Sequence, residues 1–161
     1  IAQHPYIVAS YLWNMFDFAV PTSKRGSMAA RNMKGMMTFD RKIKKDSYFW
    51  YKANWSKEPV LYLTQRRNAL REKKETSVTV YSNIGTPRVY LNGKELSGVS
   101  KGYTDVHYIF NKVVLNDGKN VLKAVVSYQG KEYEDEIEWN YNGECNREAD
   151  FFEHKTEHGS W

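Results

Sequence analysis

Five side chains in the first quarter of the chain have the types and spacing to bind a small polar molecule: Trp13, Asn14, Asp17, Asn32 and Lys34. The first three belong to Leu12-Trp13-Asn14-Met15-Phe16-Asp17-Phe18. Leu, Met and Phe can fill any core, but Asn and Asp in the same run need hydrogen-bond partners. Beside an aromatic face, such a polar pair has the make-up of a sugar pocket. Trp13 offers a flat apolar platform to the C–H face of a sugar; alternatively it is core filling. Asn14 and Asp17 can position hydroxyls or neighbouring groups, and Asp17 can equally be a buried structural acid held by an arginine. Asn32 and Lys34 stand two apart on a loop, so both can converge on one small anion. A neutral donor beside a point charge suits a carboxylate. The plain alternative is an exposed lysine with no ligand.

The elements that must position these residues are legible in outline. Ile7–Phe18 is dense in Val, Leu, Tyr, Trp and Phe, which predicts a strand buried on both faces, as in parallel sheets. Residues 19–35, with Pro21, Gly26 and Gly35, predict a long loop of the kind usually kept for function. Asp46 and Ser47 are candidate caps for a helix through Tyr48–Trp55. Strand, loop and helix make a βα unit, which cannot bury its own faces alone.

After Pro59 the pattern changes to short β-branched and aromatic runs: Val60–Leu63, Ser77–Tyr81, Arg88–Leu91, Val106–Val114, Val121–Tyr128 and Tyr133–Trp139. Asn92-Gly93, Asn116-Asp117-Gly118 and Gln129-Gly130 supply turns between them. This spacing predicts an antiparallel sandwich of immunoglobulin-like type. In its last strand Glu132, Glu134, Glu136 and Glu138 alternate with Tyr133, Asp135, Ile137 and Trp139, so one face is solvated although Asp135 interrupts the apolar side. The basic cluster Arg66, Arg67, Arg71, Lys73 and Lys74 predicts a solvated hairpin loop. The fold class is therefore an α/β fragment over 1–56, an all-β sandwich over 57–142, and a linker or the start of a further module over 143–161.

At 161 residues the chain can bury a real core. Its net charge of +5 is concentrated early, with nine Lys or Arg against three acids in residues 1–55. That excess is either a solvated basic surface or the cationic rim of an anion site. No nucleic-acid-binding signature accompanies it, and no apolar run is long enough to span a bilayer. The single cysteine, Cys145, excludes an internal disulfide. His154 and His158 stand four apart, but their ragged spacing from Cys145 predicts surface histidines rather than metal ligands. No metal or other cofactor is expected. The opening Ile1-Ala2-Gln3-His4-Pro5 has neither an initiator Met nor a signal peptide, so the chain is expected to start inside a larger protein.

Leu12–Phe18, then Asn32-x-Lys34-Gly35, then Asp40-Arg41-Lys42-x-Lys44-Lys45-Asp46 with Tyr51-Lys52-Ala53-Asn54-Trp55, resembles the end of the catalytic barrel in glycoside hydrolase family 2. The following segment resembles the immunoglobulin-like domain placed directly after that barrel. The resemblance implies that residues 1–56 are the last βα unit of a TIM barrel, whose strand ends and following loops carry the active site. It implies a retaining exo-β-glycosidase acting through two Glu about 5 Å apart. Both Glu are expected on earlier strands, in a missing N-terminal part, so this fragment alone is expected to be inactive. Trp13 matches the family's last-strand Trp beside the sugar. Asn32 and Lys34 match a pair that contacts the carboxylate of uronides. A β-galactoside is the leading expected substrate and a β-uronide its rival, while a non-catalytic structural or carbohydrate-binding sandwich is the alternative of another class. A bacterial periplasm or the outside of the cell would suit the family.

Overall fold

The computed structural model describes residues 4–20 and 30–144. Cys145, His154, His158, most of the expected 19–35 loop and nearly all of the expected linker lie outside those residues. The chain divides into two compact units between Lys45 and Asp46.

In the first unit the expected strand over Ile7–Phe18 is not formed. Among the described residues its strands are β1 (Phe18–Ala19) and β2 (Arg31–Asn32), paired antiparallel with Phe18 opposite Asn32. Val8, Tyr11 and Trp13 are exposed. The physical reason is that a doubly buried strand needs strands on both edges and layers on both faces. Among the described residues this unit supplies neither. The barrel portion of the expected fold class is thus not seen here, and among the described residues the architecture is mostly β with one helix.

That helix, α1 (Asp46–Trp55), opens the second unit. Asp46 does not cap it. Its carboxylate instead accepts from the Tyr62 hydroxyl and the Gln65 amide, both at 2.8 Å. Phe49 stacks on Tyr62 with ring centroids 3.8 Å apart, and Ala53 is buried beside them with Val60. No helix among the described residues is long and apolar enough to cross a membrane.

Nine strands follow among the described residues: β3 (Leu61–Leu63), β4 (Leu70–Arg71), β5 (Glu75–Ser82), β6 (Arg88–Leu91), β7 (Lys94–Glu95), β8 (Val99–Lys101), β9 (His107–Val114), β10 (Gly118–Tyr128) and β11 (Lys131–Tyr141). One sheet runs β3-β5-β9-β8 and the other β4-β11-β10-β6-β7, the strand order of an immunoglobulin-type sandwich. Short β4 runs parallel to β11 and meets it only at Asn140 and Tyr141. Asn92-Gly93 and Gln129-Gly130 form two-residue turns with positive φ at both positions, as such hairpins require. Val78, Val80, Val89, Phe110, Leu122, Ile137 and Trp139 fill the space between the sheets.

Polar side chains close the seams. Asp135 accepts from the Leu63 amide at 2.6 Å and pairs with Arg66, so the acid that interrupts the β11 pattern ties the two sheets together. Arg71 is buried, with its guanidinium 4.2 Å from the Trp139 ring centroid and bonded to Gln65 and Thr76. The expected solvated loop is therefore corrected for Arg66 and Arg71, whose charges have built-in partners. Asn120 is fully buried; its Oδ1 accepts from the Asn116 amide and from Asn92, and its Nδ2 donates to the Asn116 and Gly118 carbonyls.

Asn120→Ala leaves these groups unsatisfied and is expected to cost about 3 kcal/mol, whereas exposed Lys119→Ala stays within about 0.5 kcal/mol. Urea unfolding of the chain measures both, and a loss below about 1 kcal/mol for Asn120→Ala would show the network to be dispensable. Burial first, and then the charge of Asp46, push the Tyr81 hydroxyl up to about 12. Its contribution to stability is whole below the ordinary tyrosine value of 10.0 and is lost as the pH rises through about 12. Absorbance titration of the tyrosinates in the folded chain should show this late-ionising class; if every tyrosine ionised near 10, the burial argument fails.

Candidate functional site

The first unit is built around one peptide track. Residues 14–17 run alongside 36–37 in parallel: Met36 N–H donates to the Asn14 carbonyl (3.0 Å), Met37 N–H to Met15 (2.9 Å), and Asp17 N–H to Met37 (3.0 Å). The chain then turns back, with Thr38 N–H on the Ile43 carbonyl (2.9 Å) and Lys45 N–H on Met36 (2.8 Å). Asp40 closes that turn, accepting from the Thr38 hydroxyl and the Lys42 amide. Those two hydrogen bonds, the Thr38 one foremost, hold its carboxyl below the usual carboxylate range.

This track carries the Asp17 carboxylate into the interior, where the residue is 5% exposed. Its Oδ1 accepts from Gly35 N–H at 2.9 Å and from Lys45 Nζ at 2.6 Å, and its Oδ2 from the same Nζ at 2.7 Å. Lys45 Nζ also donates to the Met33 carbonyl at 3.1 Å. Asp17 is thus a buried acid held by a lysine, not by the arginine considered from sequence, and its oxygens face protein groups. Gly35 lies so close that an added Cβ would stand 2.1 Å from the Asp17 nitrogen and 2.2 Å from the Phe16 carbonyl carbon. Both atoms are backbone, so no rotamer change relieves the clash.

The segments that flank the buried pair carry three of the candidate residues. The Trp13 ring meets Phe18 edge-on at 5.9 Å between centroids. Phe18 is directly opposite Asn32 across the β1–β2 pair, so both side chains stand on one face. Asn32 Oδ1 accepts from Lys34 N–H at 3.0 Å. Trp13 is 71% exposed and its peptide bond to Asn14 is cis. Asn14 turns its own Oδ1 to the Met15 amide at 2.6 Å. These segments thus carry an exposed tryptophan, a carboxamide and an exposed lysine, with Asp17 buried in the same unit. Lys45 was not among the candidates, although a buried Asp calls for a cation and the Arg41–Lys45 run is rich in them.

No family model matches the chain. Over 125 residues, 77% of this chain and 18% of the relative, it is 34% identical to a protein of Bacteroides fragilis named beta-glucuronidase. Over 153 residues, 88% of this chain and 18% of the relative, it is 32% identical to a "putative beta-glucuronidase" of Formosa agariphila. The crystal structure of a "putative beta-galactosidase" from Bacteroides fragilis matches 91% of this chain and 22% of its own, with TM-score 0.84 and 78% identity. These relatives are glycoside hydrolases. The chain is homologous to one segment of the β-glucuronidases and β-galactosidases, spanning between 18% and 22% of their length.

Gly35→Ala forces the Phe16–Asp17 peptide aside and is expected to destabilise the first unit by about 3 kcal/mol. Hydrogen exchange at the amides of Asp17 and Met37 reads this out; unchanged protection in the variant would contradict the close approach.

Proposed function

We propose that this chain is part of a retaining exo-β-glycosidase in which Asn32 and Lys34 hold the carboxylate of a β-linked uronic acid. One observation carries this. Asn32 Oδ1 is committed to the Lys34 amide, which leaves the Nδ2 group as the side chain's donor beside the lysine. A neutral N–H donor and an ammonium together suit a carboxylate better than a neutral hydroxyl. Trp13 supplies the apolar wall for the sugar ring, and the names of two relatives support a glucuronide.

In this proposal residues 1–56 close a (β/α)8 barrel, 57–142 form the immunoglobulin-like domain that follows it in sequence, and 143–161 are a linker or the start of a further module. The acid/base and nucleophile Glu, about 5 Å apart in retaining enzymes, belong to the rest of the relatives' length. A second reading, a β-galactoside substrate, is favoured by the 78% identity to the protein named "putative beta-galactosidase".

Lys34→Ala in the full-length protein divides the two. Removing the ammonium is expected to lower kcat/KM on an aryl β-glucuronide by about a hundredfold and to leave an aryl β-galactoside within about twofold. Small and equal losses on both substrates would remove the carboxylate role. A galactoside that is the faster substrate and is untouched by the substitution would establish the second reading.

A further inference from the structure

We infer that Asp17 and Lys45 are positioning residues for uronide recognition, because together they fix the backbone from which Lys34 projects. The inference rests on the carboxylate-binding role of Lys34 proposed above.

A side chain leaves its Cα in a direction set by the two peptide planes on either side. For Lys34 both planes are held. The 33–34 peptide is gripped at each end: Lys45 Nζ donates to its carbonyl at 3.1 Å, and its N–H donates to Asn32 Oδ1 at 3.0 Å. The 34–35 peptide is held through its N–H, which donates to Asp17 Oδ1 at 2.9 Å. With both planes anchored, φ and ψ of Lys34 are set, and so is its Cα–Cβ direction.

The anchor itself is rigid. Its side chains are 14% exposed for Lys45 and 2% for Asp17, and the two contacts between them are 2.6 and 2.7 Å. Ion pairs at the surface are loose, whereas a buried pair with its remaining bonding positions filled has one arrangement. Lys45 is also neutralised by Asp17, so it is not a second ligand for the anion. It spends its third donor on the Met33 carbonyl, the group that orients its neighbour. The Asn-x-Lys-Gly spacing fits this arrangement: Asn32 Oδ1 accepts from Lys34 N–H, Gly35 N–H donates to Asp17, and Lys45 donates to the Met33 carbonyl between them.

The test uses the full-length protein with aryl β-glucuronide and aryl β-galactoside as probes. Removing one charge alone strands the other, so the informative variant combines Asp17→Asn with Lys45→Met. In that double variant the amide oxygen at position 17 can still accept from Gly35 N–H, while the Met33 carbonyl is released. The kcat/KM on the glucuronide is expected to fall between about tenfold and about a hundredfold, mostly through KM, with the galactoside within about twofold. Lys45→Arg, which keeps Asp17 neutralised but does not reproduce the ammonium's placement on the Met33 carbonyl, is expected to give a smaller loss in the same direction and serves if the double variant does not fold. Wild-type glucuronide kinetics in these variants, or equal losses on both substrates, overturn the inference while a selective Lys34→Ala effect leaves the carboxylate role standing. If Lys34→Ala is itself unselective, or the wild type acts only on the galactoside, both fall together.

Discussion

A carboxylate removed from water must be compensated where it lies, and Asp17 imposes that requirement on the whole first unit. Its partners come from 18 and 28 positions further along the chain. To bring Gly35 and Lys45 to the same two oxygens, residues 36–37 must run beside 14–17, and 43–45 must fold back on 36–38. The peptide hydrogen bonds along this track are the means by which that happens. A unit with little apolar burial of its own is thereby organised by one charge pair, and the surface residues on those segments inherit their places.

The second unit applies the same logic at three seams. Asp46 joins the helix to β3 through Tyr62 and to the following turn through Gln65. Asp135 joins β11 to β3 across the sandwich. Asn120 fixes the turn into β10 and, through Asn92, the neighbouring hairpin. The apolar core between the sheets supplies most of the driving force. These polar groups select one arrangement among the many that would bury the same hydrophobic surface, because each loses a bond in any other register.

What the sequence made legible follows from how local each signal is. Period-two alternation and Asn-Gly or Gln-Gly turns are read within a few residues, so six of the sandwich strands were expected within a few positions of where they stand. The Ile7–Phe18 segment was not, because density of large apolar residues records the need for cover without saying what provides it. Asp46 looked like a cap because capping is the local use of an aspartate; its actual use, on Tyr62 and Gln65, is tertiary. Arg66 and Arg71 looked solvated for the same reason. Residue type alone points to Trp13, Asn32 and Lys34; the structure puts Trp13 against Phe18, Phe18 opposite Asn32, and the Lys34 amide on Asn32 Oδ1. Asp17 was allowed two roles and takes the structural one. Lys45 was hidden among Arg41, Lys42 and Lys44, since nothing in a run of four cations tells which one turns inward.

The limited pairing of β4 with β11 leaves Lys131–Trp139 without a further strand on that side among the described residues. Such an open margin invites a like segment to add itself by main-chain bonding. Here every alternate position is a glutamate, and among the described residues Glu134 and Glu138 pair directly with lysines of β10, at 2.6 and 2.5 Å. A second molecule laying its own last strand against this one would bring two rows of carboxylates face to face. Growth into a continuous ribbon is therefore opposed at its first step, and the sheet ends where the chain needs it to end.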